Sequence, residues 1–311
     1  MESNKIEKIS IIAKMAQIAS VLEVSGYPKP GNVHRTRDFA DMIFEDFLIS
    51  GVVIGEIVKE AALNGLKIKE TKDFKNANLG KYIFKGVLET DKWVKNNTNL
   101  GILMMIIPIS ISAAISESFF QLQDNISVLM NNSTVNDAID LYDAINLADA
   151  GGMGDQENFD VNSKKAKEEL INNNQTMFDV LAISASWDSL ARELTSKMPI
   201  AFDLGFVNYV DFKKQYSQNL STVLTFLTIL SNVPDTLISR KYGDEQAEEI
   251  SEMAEEIITG NDDYGSVDFI KKVKDLDDYL FENKFNPGTT ADLTAASIFL
   301  SYLYEYFMDF E

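Results

Sequence analysis

Cysteine is absent from all 311 residues, and histidine occurs once, as His34. The first absence excludes disulfide scaffolds, thiolate nucleophiles, iron–sulfur clusters and Cys-based zinc sites. The second leaves a metal with oxygen ligands, because one imidazole cannot supply the two or three of a common zinc or facial-triad iron centre; Mg²⁺ is the cation such ligands suit. Basic residues are also scarce: 28 Lys and Arg against 48 Asp and Glu give a net charge of −20. So acidic a chain repels nucleic acid and anionic lipid at long range, and neither is expected as a partner. The opening residues, MESNKIEKISIIAKMAQ, lack the continuous apolar stretch and cleavage site of a signal peptide, so a cytoplasmic location is expected. The most apolar run, Leu100 to Ile115, falls short of the roughly 20 residues that span a bilayer, and Pro108 interrupts it, which reads as a buried core helix rather than a membrane span.

What is present is helical periodicity, with 45% hydrophobic residues to supply a core and no convincing alternating strands. Phe44, Phe47, Leu48, Gly51, Gly55 and Val58 recur at three- and four-residue steps, predicting one helix from about 39 to 63. Further helices are expected at roughly 5–25, 79–95, 101–121, 134–150, 163–172, 175–197, 205–217, 218–232, 243–259, 266–283 and 290–309, separated by polar or Gly/Pro connectors. No repeat, low-complexity linker or composition break divides the chain. The expected fold is all-α, a single bundle-like domain over residues 1–311.

Arginine is the informative cation: there are 24 lysines but four arginines, Arg35, Arg37, Arg192 and Arg240. Its planar fork suits phosphate or carboxylate, whereas scattered lysines serve solubility. Arg192 has Asp188 four residues before it, which also fits an ordinary ion pair on one helix. The segment Pro28 to Met42 (PKPGNVHRTRDFADM) packs Lys29, His34, Arg35, Arg37 and two acids into one loop, a density that suggests a site. His34 could serve there as a base, a hydrogen-bonding anchor or an exposed side chain. Asp38, Asp41 and Glu45 follow at helical steps and could hold Mg²⁺ with substrate phosphates, or simply complement a helix N-terminus. Asp149 shares a stripe with Ala138, Tyr142 and Ile145, so its carboxylate is expected to point inward, ahead of the glycine run Gly151 to Gly154 and Asp155. Near the C-terminus, Gly288, Thr289 and Thr290 open the last helix with free N–H groups and hydroxyls suited to an anion, although a Thr290 cap with Asp292 in the first turn is an equal reading. Pro234 to Lys241 begins as a capped helix and ends in two cations, Arg240 and Lys241.

Taken in order, PKPGNVHRTRDFADM, NNTNLGI, DAGGMGD, PDTLISRK and NPGTTADLTAAS resemble the motifs of the triphosphoribosyl-dephospho-CoA synthase family, from about residue 23 to 303. The resemblance implies an enzyme that moves the triphosphoribosyl group of ATP to a ribose hydroxyl of dephospho-CoA and releases adenine. It implies catalytic carboxylates among Asp38, Asp41, Asp149 and Asp235, which would stabilise the positive charge of a ribosyl transition state or take the hydroxyl proton. It places phosphate and nucleotide contacts at Lys29, His34, Arg35, Arg37, Asn97, Asn99, Gly152, Arg240, Lys241, Gly288, Thr289 and Thr290, and a probable Mg²⁺ among Asp41, Glu45, Asp155 and Asp292. A homodimer is compatible with it. Two departures stand out: Asn99-Leu100 replaces a His-Lys pair, and His34 stands where the family tends to carry aspartate. They leave open a different acceptor, for instance a pterin-type cofactor precursor, or a nucleotide-binding protein without turnover.

Overall fold

In the computed structural model the described residues are 2–149, 161, 163, 165–261 and 263–309. The first half runs α1 (Glu2–Ser25), α2 (Phe44–Val53), α3 (Gly55–Thr71), α4 (Leu79–Asp91), α5 (Leu100–Ile115), α6 (Leu122–Asn131) and α7 (Val135–Leu147). The second runs α8 (Ala166–Asn172), α9 (Met177–Ser184), α10 (Ser189–Thr195), a π-helical stretch Ile200–Phe206, α11 (Val207–Lys213), α12 (Gln218–Asn232), α13 (Thr236–Tyr242), α14 (Asp244–Thr259), α15 (Val267–Glu282) and α16 (Gly288–Asp309). The described residues form no strand; His34 and Arg37 make an isolated antiparallel bridge inside the 26–43 loop.

The fold is built around α5. Every residue of this helix except Gly101 is buried, because α1, α3, α4, α6 and α16 pack around it. At about 1.5–3 kcal/mol for each large aliphatic side chain removed from water, a helix of this composition is held by burial alone. No single described helix is long and apolar enough to cross a membrane. The main core joins α1, α3 to α7, α9, α10 and α16. A second cluster, from α12 to α15 with Phe285, packs beside it. Helices α12 and α16 run between the two, and Ile229 of α12 belongs to the main core.

Several expected helices are shorter or broken, each for a local reason. The expected 39–63 helix starts only at Phe44, whose N–H is taken by Asp38 Oδ1 at 2.8 Å, and it is interrupted at Ile54. The expected 175–197 helix breaks at Asp188, which turns out to cap α10 by accepting from Ala191 N–H at 3.0 Å. The expected 101–121 helix stops at Ile115, where Ser116 is extended, and α6 follows as a separate helix that periodicity did not single out. Helix α7 ends at Leu147, so Asp149 lies beyond it, with a left-handed φ of 48° and an exposed side chain rather than one aligned with the apolar stripe.

Candidate active site

Where the N-terminus of α5 meets the C-terminal turns of α1 and the start of α16, the packing leaves a cavity of about 480 Å³. The 26–43 loop, α13 and the α9–α10 turn complete its walls. Two helix N-termini, those of α5 and α16, border it and bring the positive ends of their dipoles to one space. The lining mixes apolar side chains, Met42, Phe47, Ile145, Leu181, Leu190 and Leu237, with charges and amides.

The loop is fixed before it contributes. Asn219 on α12 accepts from Tyr27 N–H at 3.0 Å and donates to Tyr27 C=O at 2.6 Å, and Arg35 donates to the same Asn219. Asp277 on α15 accepts from Gly31 N–H at 3.0 Å and pairs with His34 Nε2 at 3.0 Å and Arg37 Nη1 at 3.1 Å. His34 Nδ1 accepts from Thr36 N–H at 3.3 Å, which leaves Nε2 to carry the hydrogen toward Asp277. Arg37 also pairs with Asp278 and lies over the Phe281 ring at 4.7 Å. Gly31 has φ +72°, and a Cβ there would fall 2.4 Å from Phe285 C=O, so only glycine fits this turn.

Four carboxylates gather at the cavity, Glu23, Asp188 and Asp292 in its wall and Asp235 just behind it. Glu23, 2% exposed, pairs with Lys29, itself 1% exposed, whose ammonium also donates to Glu23 C=O at 3.1 Å. Burial raises the Glu23 carboxyl, and Lys29 opposes that. Asp188 pairs with Arg240. Asp235 caps α13 through Leu237 N–H at 2.9 Å and Ile238 N–H at 3.2 Å, and takes Thr290 N–H at 2.7 Å and Thr290 Oγ1 at 2.8 Å. Burial raises its carboxyl, with those donors opposing. Asp292 is the fourth, partly exposed in the cavity wall and without a hydrogen bond or ion pair among the described residues. Burial, then the charges of Glu23, Asp235 and Asp188, hold its carboxyl well above the usual carboxylate range, with Arg240 opposing. It lies so close to α5 that a Cβ at Gly101 would be 2.0 Å from its Oδ2.

A sequence model of the ATP:dephospho-CoA triphosphoribosyl transferases matches residues 9–309. The chain belongs to that family. It is therefore a transferase. Its fold is also that of a solved protein from Archaeoglobus fulgidus, provisionally assigned as a triphosphoribosyl-dephospho-CoA synthase, at TM-score 0.65 and 23% identity, covering 84% of this chain and 98% of that one. No curated protein matches the chain significantly.

The transferase brings four of the five sequence motifs to the cavity, and of the third, DAGGMGD, the described Asp149. Of the residues expected from sequence, Lys29, Asp41, Asn97, Asn99, Asp149, Arg240, Lys241, Gly288, Thr289 and Asp292 line it. Lys29 and Arg240 do so already paired with acids. Asn97 caps α5 through Leu100 N–H at 3.3 Å, and buried Asn99 donates to Thr90 Oγ1 at 2.8 Å. Leu100, in the place of a cation, is 6% exposed and begins α5. Outside the cavity lining are His34, Arg35 and Arg37, spent on the loop, Asp38, which caps α2, and exposed Glu45. Asp235 and Thr290 bond each other just behind the wall. Gly152 and Asp155 lie outside the described residues. Arg192 donates to Ser189 Oγ at 3.0 Å, and Asp188 pairs with Arg240 instead. Sequence reasoning missed Glu23 and passed over Asp188 as a site residue. The only signal for Glu23 is an acid in the last turns of an otherwise apolar helix end, VLEVSG, directly before the polar loop.

Proposed function

We propose that this transferase takes the triphosphoribosyl group from ATP, delivers it to a ribose hydroxyl of dephospho-CoA and releases adenine in the cavity at the α5 N-terminus. The observation that carries the reading is the convergence of Glu23, Asp188, Asp235 and Asp292 around one cavity. Breaking an N-glycosidic bond puts positive charge on the ribose ring, and a negative field fixed in advance stabilises that charge without reorganisation. The raised carboxyl of Asp292 reports the same field. Apolar lining residues such as Phe47 and Leu181 offer a surface for a purine, while the helix N-termini, Thr289, Arg240 and Lys241 supply donors for phosphate.

Among the described residues the wall carries four cations, Lys29, Lys95, Arg240 and Lys241, against five acids, Glu23, Asp41, Asp149, Asp188 and Asp292. That balance does not by itself neutralise a triphosphate. Among the described residues no group of three or more His, Cys, Asp or Glu could hold a metal. The donor set instead fits Mg²⁺, which commonly takes one or two protein carboxylates and completes its shell with water and substrate phosphates. Asp41 and Asp149, exposed at the cavity edge, would hold it; when bound it would offset phosphate charge.

The test is incubation of the protein with ATP, Mg²⁺ and dephospho-CoA, following free adenine and the mass of the conjugate. Adenine with a triphosphoribosyl adduct is expected. Stabilisation by ATP or dephospho-CoA without adenine would rule the reaction out for this chain and leave another acceptor or binding alone.

A further inference from the structure

Buried polar atoms without a hydrogen-bond partner are few in a folded chain, and each calls for a physical reason. Among the described residues, two such atoms belong to side chains that line the cavity, Asn32 Oδ1 and Arg240 Nε. The Arg240 guanidinium already has a partner, since its Nη1 pairs with Asp188. Asn32 differs, because its orphan is an acceptor on a side chain held in place. Its Nδ2 donates to Asn286 Oδ1 at 2.6 Å, so turning the amide to seek a donor would break that bond. Its backbone is held as well: Asn32 N–H donates to Lys29 C=O at 3.4 Å, and the preceding Gly31 N–H donates to Asp277 at 3.0 Å. The hydroxyl orphans elsewhere, on Ser110, Ser221, Thr225 and Ser301, are under no such constraint, because a hydroxyl hydrogen rotates to suit its surroundings. Asn32 and Asn286 come from the first and last of the five motifs, 254 residues apart, and both line the one cavity. Asn32 is 4% exposed.

An amide oxygen accepts hydrogen bonds and never donates them. Ionised phosphate oxygens and the bare ring nitrogens of adenine are acceptors too, so neither can pair with it. Its partner must bring an O–H or N–H. We infer that Asn32 is a specificity-determining residue of the cavity, whose Oδ1 accepts a hydrogen bond from a sugar hydroxyl or the exocyclic amine of a bound nucleotide. The inference rests on the reading of the chain as a transferase acting on ATP and dephospho-CoA. Asn286 is a positioning residue that acts through Asn32 by holding the amide plane. A buried acceptor penalises a ligand that covers it without supplying a hydrogen, which gives this part of the wall a preference that phosphate-gripping cations do not provide.

The test is calorimetric binding of ATP with Mg²⁺, and separately of dephospho-CoA, each compared with analogues whose adenosine lacks the 2′-hydroxyl, the 3′-hydroxyl or the exocyclic amine. In the unaltered protein one of these deletions should weaken binding roughly tenfold to a hundredfold. In Asn32→Ala the parent nucleotide should itself bind more weakly, and deleting that same group should then cost less than about threefold, as expected of two coupled partners. Equal binding of every analogue by the unaltered protein overturns the assignment, and so does an Asn32→Ala protein that weakens parent and analogues by one common factor. Asn286→Ala leaves the Asn32 oxygen in place but frees its amide, so it serves even if Asn32→Ala does not fold: the preference for the parent should shrink, and an unchanged preference counts against the arrangement. Binding without discrimination sinks this assignment alone. Failure of ATP and dephospho-CoA to bind at all would instead sink the transferase reading, and the role of Asn32 with it.

Discussion

Asp292 sits in the first turns of α16, and its carboxyl is held well above its ordinary value of 3.8 mainly by burial and then by three neighbouring acids. A group with a raised folded pKa binds more protons in the folded chain than in the unfolded one. Stability is therefore lost as pH rises from about 3.8 through the folded value. Asp292→Asn removes that loss, so its melting temperature should exceed that of the unaltered protein at neutral pH and match it near pH 3. A lower melting temperature at neutral pH would show that Asp292 is a stabilising anion instead. Gly101→Ala probes the same contact from α5: the new Cβ meets the far end of a movable side chain, so the fold should persist within a few degrees. Turnover should nonetheless drop by roughly tenfold or more, because displacing a carboxylate of the cavity wall by about 1 Å disturbs how a bound substrate is positioned. At this scale the sequence was partly legible. Motif spacing led to Asp292 and Arg240, but the same density of charge led equally to His34, Arg35 and Arg37. Their partners, Asp277 and Asn219, lie 243 and 184 residues away from His34 and Arg35. No local pattern contains such a pairing.

Among elements, the decisive one is the 26–43 loop, which has almost no regular structure of its own and is held by α12 and α15. Buried Asp277 is its anchor, serving Gly31 N–H, His34 and Arg37 together. Removing one partner from a buried charged network leaves the others uncompensated, and Asp277→Ala should cost about 3–5 kcal/mol, read as a shift in the urea midpoint. A cost under about 1 kcal/mol would mean the loop is held mainly by Asn219 and apolar contacts. Most helices were readable from periodicity, since α1, α12, α14, α15 and α16 fall close to their expected spans. Breaks were less readable. Asp188 and Asp38 look like helix residues in sequence, and both act as caps because a carboxylate can satisfy free N–H groups at a helix start. The glycine-flanked Asp149 failed for a related reason: the helix ended two residues before it.

For the whole molecule, the charge of −20 sets a long-range penalty on an anionic substrate. Raising ionic strength from about 10 mM to 150 mM shortens the Debye length from roughly 30 Å to 8 Å, so the KM for ATP should fall over that range at fixed Mg²⁺. A KM that rises instead would place attraction by the cavity cations above the repulsion of the surface. The all-α architecture and the family were legible from composition, periodicity and five ordered motifs. The division of the interior into two clusters was not, because it arises from how α12 and α16 pack and leaves no linker in the chain.

Helix α1 packs along α16, and their facing ends bring Glu23 and Asp292 to the same cavity. Seen as an order of events during synthesis, this means that Asp292 is among the last parts of the site to be made and Glu23 among the first. A ribosome-bound chain lacking the Gly288–Asp309 segment holds Glu23 and Lys29 but neither Thr289 nor Asp292, so the cavity wall is completed only when α16 is made and packs on α1 and α5.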